Sequence, residues 1–108
     1  MNYQVVLFES TRGDKPVYEF ISKFDDKTIS KFTRLATLLS QFGLKLSMPY
    51  SKKISRDLYE LRLKGKNEIR VLYCFHKQDF YLLHAFQKKK MKTPQKEIEI
   101  AQNRLTQI

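Results

Sequence analysis

The sequence has few of the residues that would point to several common kinds of site. It contains one cysteine, Cys74, so the chain cannot form an internal disulfide, and it shows no Cys or His spacing typical of zinc sites. It has no long apolar run and no recognisable signal peptide. We therefore expect a cytoplasmic protein without a metal ion or other cofactor, in which Cys74 is a small core residue rather than a nucleophile.

Length and composition limit the number of domains. A chain of 108 residues with 42% hydrophobic residues can bury one core but is too short for two. We therefore expect a single domain that spans residues 1–108.

Acidic residues are scarce, and the positive charge is concentrated in one part of the chain. The net charge is +10, and residues 52–92 contain twelve Lys/Arg against four Asp/Glu, which gives +8. A basic stretch can simply be a solvated surface, but this concentration favours a polyanionic partner. Nucleic acid is favoured over a membrane, since the sequence contains no basic amphipathic helix.

Three segments of this basic region, 58–62, 69–73 and 83–89, have the pattern of short β-strands. Apolar and charged residues alternate in the first two, so one face of each strand is apolar and the other is cationic. The three residues 65–67 between them suit a hairpin loop, because Gly and Asn tolerate a left-handed backbone. That loop predicts a register in which Leu61 lies opposite Val71 and Arg62 lies opposite Arg70.

The predicted pair of Arg62 and Arg70 is informative, because like charges opposite each other destabilise a sheet. One interpretation is structural: Glu60 lies on the same face and could bridge both arginines. The other is functional: two guanidinium groups side by side can bind a phosphate group. The sequence leaves both interpretations open.

The first half of the chain predicts a strand followed by two helices. Residues 3–8 suit a strand, and Pro16 can occupy the first position of a short helix that reaches residue 24. Asp25 and Asp26 can cap a second, longer helix, which Gly43 ends. This helix hairpin should cover the apolar face of the sheet.

Residues 44–56 have no clear period and are predicted to form a loop. Lys52, Lys53 and Arg56 near its end either contact a phosphate backbone or remain solvated. After the third strand of the basic region, Thr93 is the predicted N-cap of a last helix, with Pro94 in its first turn.

The second half of the chain resembles the HigB branch of the RelE-type toxins, a group that includes phage-derived proteins. The first half agrees more loosely, through its opening strand and the two-helix pattern. The resemblance rests on an ordered series of short motifs: Leu61-Arg62, Arg70-Val71-Leu72-Tyr73, Leu83-His84-Ala85-Phe86, Lys88-Lys89, Lys92-Thr93-Pro94 and Glu97-Ile98-Glu99-Ile100-Ala101.

This resemblance implies an α+β, RelE-like fold. Its small, mostly antiparallel sheet is covered by an N-terminal helix hairpin, and a C-terminal helix follows, in the order β-α-α-β-β-β-α. The implied function is that of a toxin in a type II toxin–antitoxin system, a metal-independent endoribonuclease that cleaves mRNA on the ribosome and arrests growth. The implied partners are mRNA, the ribosome and a HigA-type helix-turn-helix antitoxin, with DNA contacted only through the antitoxin.

Cleavage of RNA without a metal needs cations that stabilise the phosphorane and groups that transfer protons. Arg70 matches the family's sheet arginine and is expected to stabilise the phosphate, with Arg62 beside it. Lys88 or Lys89 could protonate the leaving group or, if like charges lower its pKa, act as a base. The expected RNA-binding residues are the remaining lysines of the basic region: Lys52, Lys53, Lys64, Lys66, Lys90 and Lys92.

Other interpretations remain open from the sequence. His84 lies among apolar residues and suits a structural role better than a catalytic one. The loop around residues 77–79 has two or three residues, and its length decides whether His84 or Lys88 shares the face of Arg70. The chain could also be a non-catalytic RNA-binding module, with Tyr73, Tyr81 and Phe86 stacking on bases, or a degenerate toxin that only binds its antitoxin.

Overall fold

The computed structural model describes residues 2–108, which form one five-stranded mixed sheet and three α-helices. The strand order across the sheet is β1-β5-β4-β3-β2; β1 and β5 are parallel, and the other neighbours are antiparallel. The elements are β1 (Gln4–Leu7), α1 (Pro16–Ile21), α2 (Asp26–Phe42), a 3-10 turn (Gly43–Lys45), β2 (Ser51–Lys53), β3 (Tyr59–Leu63), β4 (Ile69–His76), β5 (Asp79–Gln87) and α3 (Gln95–Leu105).

Local sequence signals set the ends of the first two helices. Pro16 is the first residue of α1, where the missing N–H is not needed. Asp25 is the N-cap of α2, and its carboxylate accepts a hydrogen bond of 2.9 Å from the backbone N–H of Thr28. Gly43 ends α2 at a φ of +58°, a conformation that side chains disfavour. These three signals were predicted correctly from the sequence.

The hairpin of β3 and β4 has the predicted register. Leu61 pairs with Val71, and Arg62 pairs with Arg70. Lys77 and Gln78 join β4 to β5 in a two-residue turn, and both have positive φ, as tight hairpins of this kind require.

A β-bulge in β5 changes the pairing with β4. Tyr73 pairs with Leu82, whereas the preceding residue, Leu72, pairs with His84, so Leu83 is an extra residue of β5. From the bulge onward, His84 lies opposite Leu72 and Phe86 lies opposite Arg70. Alternation along β5 therefore directs the side chains of His84, Phe86 and, just beyond the strand, Lys88 to the face of Arg70.

The two faces of the sheet are covered differently. Helices α1 and α2 pack on one face over a large apolar cluster that includes Leu39, Leu61 and Val71. Helix α3 packs on the opposite face over a smaller cluster that includes Leu72, Leu83 and Ala101. It contacts β4 and β5, and the neighbouring part of that face, on β3, contains charged side chains.

Several predictions about secondary structure were wrong, including the end of the first helix, which lies at Ile21 rather than at residue 24. Four strands follow the helix hairpin rather than three, because residues 44–56, predicted as a loop, include the short edge strand β2. A three-residue strand is too short to show a period in the sequence. The last strand runs from Asp79 to Gln87 rather than from 83 to 89, so it begins four residues earlier than predicted, and Lys88 and Lys89 follow it. Thr93 does not cap α3: Pro94 is the N-cap, and the Thr93 hydroxyl donates to Glu60 instead.

No helix within residues 2–108 combines the length and the apolar content that crossing a bilayer requires.

Candidate active site

The like-charged pair Arg62 and Arg70 is arranged around one carboxylate. Oε1 of Glu60 lies 3.7 Å from Nε of Arg70 and 4.0 Å from Nε of Arg62. Because Glu60 and Arg62 are two residues apart on β3, and Arg62 pairs directly with Arg70, all three side chains lie on the same face. Glu60 therefore compensates the repulsion between the two arginines, as the structural interpretation of the sequence anticipated.

Arg70 is the most enclosed cation of the group, with 3% of its surface exposed. One terminal nitrogen lies 3.2 Å from Oε1 of Glu68, and the other donates to the carbonyl of Ile69 at 3.1 Å. Its Nε is buried and forms no hydrogen bond within residues 2–108. Arg70 thus places a positive charge just beneath the surface, where the low local dielectric strengthens its field.

Arg62 is more accessible than Arg70, since 14% of its side chain is exposed. Its guanidinium group reaches the loop that precedes β2, where one terminal nitrogen lies 2.9 Å from the sulfur of Met48. Its Nε, like that of Arg70, is buried without a hydrogen-bond partner in the part of the chain that the structure describes. Arg62 is therefore placed to contact an anion that approaches from solvent.

Lys88 lies beside the arginines although it is distant from Arg62 in sequence. Its backbone N–H donates to the carbonyl of Glu68 at 2.7 Å, which fixes the chain where it leaves β5. Burial lowers the pKa of Lys88; the nearby charges of Arg70, Arg62 and Lys52 lower it further, whereas Glu60 opposes the shift. Lys88 is thus the candidate lysine whose ammonium group loses its proton more readily than an ordinary lysine.

Glu60 and Thr93 are parts of this arrangement that were not assigned to the site from the sequence. The Thr93 hydroxyl donates to Oε2 of Glu60 at 3.0 Å, while Oε1 faces the arginines. The side chain of Glu60 is 2% exposed, so both oxygens are held in place. Alternation along β3 predicted the face of Glu60, but the contact with Thr93 joins residues 33 apart and has no local signal. We refer to Glu60, Arg62, Arg70 and Lys88 as the charged cluster.

The outer lysines are only partly gathered around the charged cluster. Lys52 pairs with Glu60 across β2 and β3, so the two side chains share a face. Lys53 points to the opposite face, where its Nζ lies 5.6 Å from the centre of the Tyr59 ring. The others are exposed, in the turn between β3 and β4 or in the segment between β5 and α3: Lys64, Lys66, Lys89, Lys90 and Lys92.

His84 shares the sheet face of Arg70 but is bound to α3. Its Nε2 lies 2.7 Å from Oε1 of Glu97, and its Nδ1 lies 3.2 Å from a terminal nitrogen of Arg104. Because a guanidinium group only donates hydrogen bonds, Nδ1 must be the acceptor and Nε2–H the donor to Glu97. Burial lowers the pKa of His84, and the hydrogen bond to Glu97 opposes this shift. These contacts connect the sheet to α3.

The aromatic residues considered as platforms for bases are mostly enclosed. Tyr73 and Phe86 are buried, and Tyr81 is half-buried. The Tyr73 hydroxyl and the Ser51 hydroxyl form a hydrogen bond of 2.5 Å beneath the edge of the sheet. Cys74 is also buried, which raises the pKa of its thiol to about 11 and keeps it protonated at neutral pH.

The site offers cationic rather than metal-binding chemistry. From Asn2 to Ile108, no three His, Cys, Asp or Glu side chains are grouped as possible ligands of a metal ion. The charged cluster instead combines three cations with Glu60, and Lys52 stands next to it. Such an arrangement can stabilise negative charge on a phosphate group.

One family model matches the chain, and it covers residues 19–106. Its description is phage derived protein Gp49-like (DUF891). The matched residues include α2, all the strands from β2 to β5, and all of α3, so the whole charged cluster lies within the match. No curated protein matches the chain significantly. Gp49-like proteins are associated with the toxins of toxin–antitoxin systems, and the chain belongs to this Gp49-like family, within the RelE/HigB-type toxins in general.

Proposed function

We propose that this chain is a HigB-type toxin that cleaves mRNA as a metal-independent endoribonuclease and thereby inhibits translation. The observation that supports this most directly is the charged cluster, in which Arg62 and Arg70 lie against Glu60 and Lys88 adds a third cation on the same face of the sheet. Membership of a toxin family supplies the biological context. The whole of residues 1–108 is taken to act as one toxin domain.

In the proposed reaction the 2′-hydroxyl of a ribose attacks the adjacent phosphorus. A bond forms between phosphorus and the 2′-oxygen, the bond to the 5′-oxygen of the next nucleotide breaks, and the products are a 2′,3′-cyclic phosphate and a 5′-hydroxyl. Negative charge builds up on the phosphorane oxygens in the transition state, where preorganised cations stabilise it. The attacking 2′-hydroxyl gives its proton to solvent water, and the departing 5′-oxygen takes up a proton from a donor on the protein.

The contacts of each side chain suggest a role in this reaction. Arg62, which is partly exposed, contacts the phosphorane oxygens, while the buried Arg70 adds its charge from below and helps Glu60 to orient Arg62. Lys88 protonates the leaving oxygen, since burial and neighbouring cations lower its pKa towards the range useful for acid–base catalysis. Lys89 is exposed and binds the RNA backbone rather than acting at the scissile bond.

The surrounding lysines are proposed to bind the RNA backbone on both sides of the cleaved bond. Lys52 adjoins the cluster across β2, and the remaining residues approach from the two flanking loops: Lys64, Lys66, Lys90 and Lys92. Lys53 faces the other side of the sheet and contributes through the long-range field. The proposed target is mRNA on the ribosome.

Membership of the toxin family suggests an antitoxin partner. We propose that this partner is a helix-turn-helix protein of the HigA type, and that the toxin reaches DNA only through it.

Comparison of wild type with Lys88→Met tests the proposed activity. Methionine keeps a long apolar side chain but removes the amine, and Lys23→Met, in the exposed segment before α2, is a matched control that removes one charge elsewhere. Loss of one transition-state donor should lower the cleavage rate about 10²- to 10³-fold. We expect wild type and Lys23→Met to fragment transcripts and arrest growth on induction, and Lys88→Met to do neither at equal abundance and thermal stability.

Two results would contradict this proposal. If the wild type fragments no RNA, even in a translating extract, the chain is not a nuclease. If Lys88→Met cleaves as fast as wild type, Lys88 has no role in proton transfer.

The enclosure of Arg70 and its pairing with Glu60 and Glu68 favour a second candidate function. A cluster whose charges compensate one another internally also suits a protein that only binds RNA or its antitoxin. In that case single cation substitutions should weaken binding gradually, and no substrate should be cleaved. The same induction experiment distinguishes the two functions.

A further inference from the structure

A groove lies between α2 and the end of β3, on the side of the sheet that the helix hairpin covers, and Arg62 is the one residue of the charged cluster that lines it. Its volume is about 260 Å³. Leu35, Leu38 and Leu63 form its apolar floor, and the loop that precedes β2 contributes Tyr50 to the wall. Tyr50 is 41% exposed although it is a large aromatic residue. The groove therefore offers an apolar surface and an accessible aromatic ring.

The rim of this groove is positively charged. It is formed by Lys31 and Arg34 from α2 and by Arg62 and Lys64 from β3 and its turn, and the described residues that line the groove include no Asp or Glu. Nζ of Lys31 donates to the carbonyl of Lys64 at 2.8 Å, which ties α2 to the turn. An apolar floor with a purely cationic rim suits a ligand that is flat and apolar in the middle and anionic on both sides.

Size narrows the choice of ligand further. Pockets for drug-sized molecules usually have volumes of about 300–1,000 Å³, so this groove suits a smaller group, such as a single ring system. A nucleobase in single-stranded RNA meets both conditions, because its flat ring is flanked by phosphates. Arg62 connects the groove to the charged cluster, since it lines the groove and also belongs to the cluster.

We propose that the groove between α2 and β3 binds one unstacked nucleobase of single-stranded RNA, next to the phosphate that the charged cluster binds. This inference rests on the proposed function and adds to it a position at which the base itself is contacted. Tyr50 stacks on the base, while Arg34 and Lys64 bind the phosphates on either side.

The absence of tryptophan from the sequence allows a direct test. Tyr50→Trp introduces a single fluorescent reporter into the groove, and Tyr18→Trp places one on α1, where Tyr18 is also exposed but does not line this groove. The probe is a short single-stranded RNA with 2′-O-methyl groups, which cannot be cleaved by 2′-hydroxyl attack. We expect RNA binding to quench the fluorescence of Tyr50→Trp and to leave that of Tyr18→Trp unchanged.

A second measurement tests stacking without a reporter. Base–aromatic stacking is worth about 1–3 kcal/mol, so Tyr50→Ala should weaken RNA binding roughly 5- to 150-fold. RNAs in which one base at a time is removed should lose affinity most at one position. At that position the effects of base removal and of Tyr50→Ala should not add, because both remove the same contact.

The proposal of a base in the groove and the proposal of nuclease activity can be contradicted separately. Fluorescence anisotropy of a labelled RNA shows when binding is saturated. If the fluorescence of Tyr50→Trp does not change at saturation, or if the RNA does not bind, the groove holds no base and the inference is overturned. Quenching that persists when each base in turn is removed, or that occurs equally in Tyr18→Trp, overturns it as well. The proposed activity would still be judged by transcript cleavage in wild type and Lys88→Met.

Discussion

At the scale of single residues, His84 shows how one side chain is fixed by partners of opposite charge. Arg104 donates to Nδ1, and Nε2–H donates to Glu97, so the neutral ring satisfies both neighbours. Protonation of Nδ1 would break the bond to Arg104 and place two cations side by side. Burial of the ring, with the charge of Arg104 as a smaller cause, therefore lowers the pKa of His84 in the folded protein.

The lowered pKa of His84 predicts how stability depends on pH. The unfolded chain binds this proton at a pH near 6.5, whereas the folded protein binds it only at lower pH. The contribution of His84 to stability is therefore complete above about pH 6.5 and is lost as the pH falls through the folded pKa. Urea unfolding of wild type should show this loss between pH 8 and pH 5, and His84→Gln should show less of it.

Glutamine is a suitable replacement because it can still accept from Arg104 and donate to Glu97. At pH 8 we expect His84→Gln to lose no more than about 1 kcal/mol, the usual value of one hydrogen bond. Identical pH dependence in the two proteins would show that His84 does not titrate in this range.

At the scale of elements, the end of α2 is tied to the start of β1. The Tyr3 backbone N–H donates to the carbonyl of Ser40 at 2.8 Å, and the Ser40 hydroxyl donates to the carbonyl of Tyr3 at 2.6 Å. Gly43 lies against the Tyr3 ring, so a side chain at position 43 would collide with that ring. The close approach of the two elements therefore requires glycine here for space as well as for its positive φ.

This tie predicts different costs for two glycine substitutions. Gly43→Ala combines an unfavourable backbone conformation, worth about 1–3 kcal/mol, with displacement of Tyr3. Gly13→Ala also has a positive φ, but the space around it is open, so it is a control for backbone strain alone. We expect Gly43→Ala to lower the free energy of unfolding more than Gly13→Ala. Equal losses in chemical denaturation would contradict a role for the contact with Tyr3.

At the scale of the whole molecule, the fold distributes a large positive charge unevenly between the two faces of the sheet. Lys52 and Lys53 are neighbours in sequence, yet Lys52 shares the face of Glu60 and Lys53 lies over Tyr59 on the other face. If RNA binds over the charged cluster, Lys52 contacts a phosphate directly and Lys53 does not.

Salt dependence of RNA binding can measure this difference. Each phosphate contact with single-stranded RNA releases counterions and contributes about 0.7 to the slope of log K against log salt concentration. We expect Lys52→Ala to reduce the slope by about that amount and Lys53→Ala to reduce it less. Both variants remove one charge, so equal reductions would show that net charge alone governs binding.

Local patterns in the sequence were sufficient to predict much of this architecture. Alternation of apolar and charged residues, with one short loop, predicted that Arg62 and Arg70 pair across β3 and β4, and the structure has this register. Pro16, Asp25 and Gly43 mark helix ends through contacts within a few residues. Such features depend on neighbours in the chain, and therefore a single sequence reveals them.

Contacts between distant residues were decided only by the tertiary structure. Nothing local indicates the parallel pairing of β1 with β5, the bulge at Leu83 or the three-residue strand β2. The same holds for the site. The cations could be named from the sequence, but only the fold shows that Lys88 lies beside Arg62 and Arg70. Only the fold shows that Thr93 binds Glu60 and that Lys53 lies on the opposite face of the sheet. The sequence by itself determined which charges this protein has, and tertiary packing decided which of them meet, because that depends on how distant segments come together.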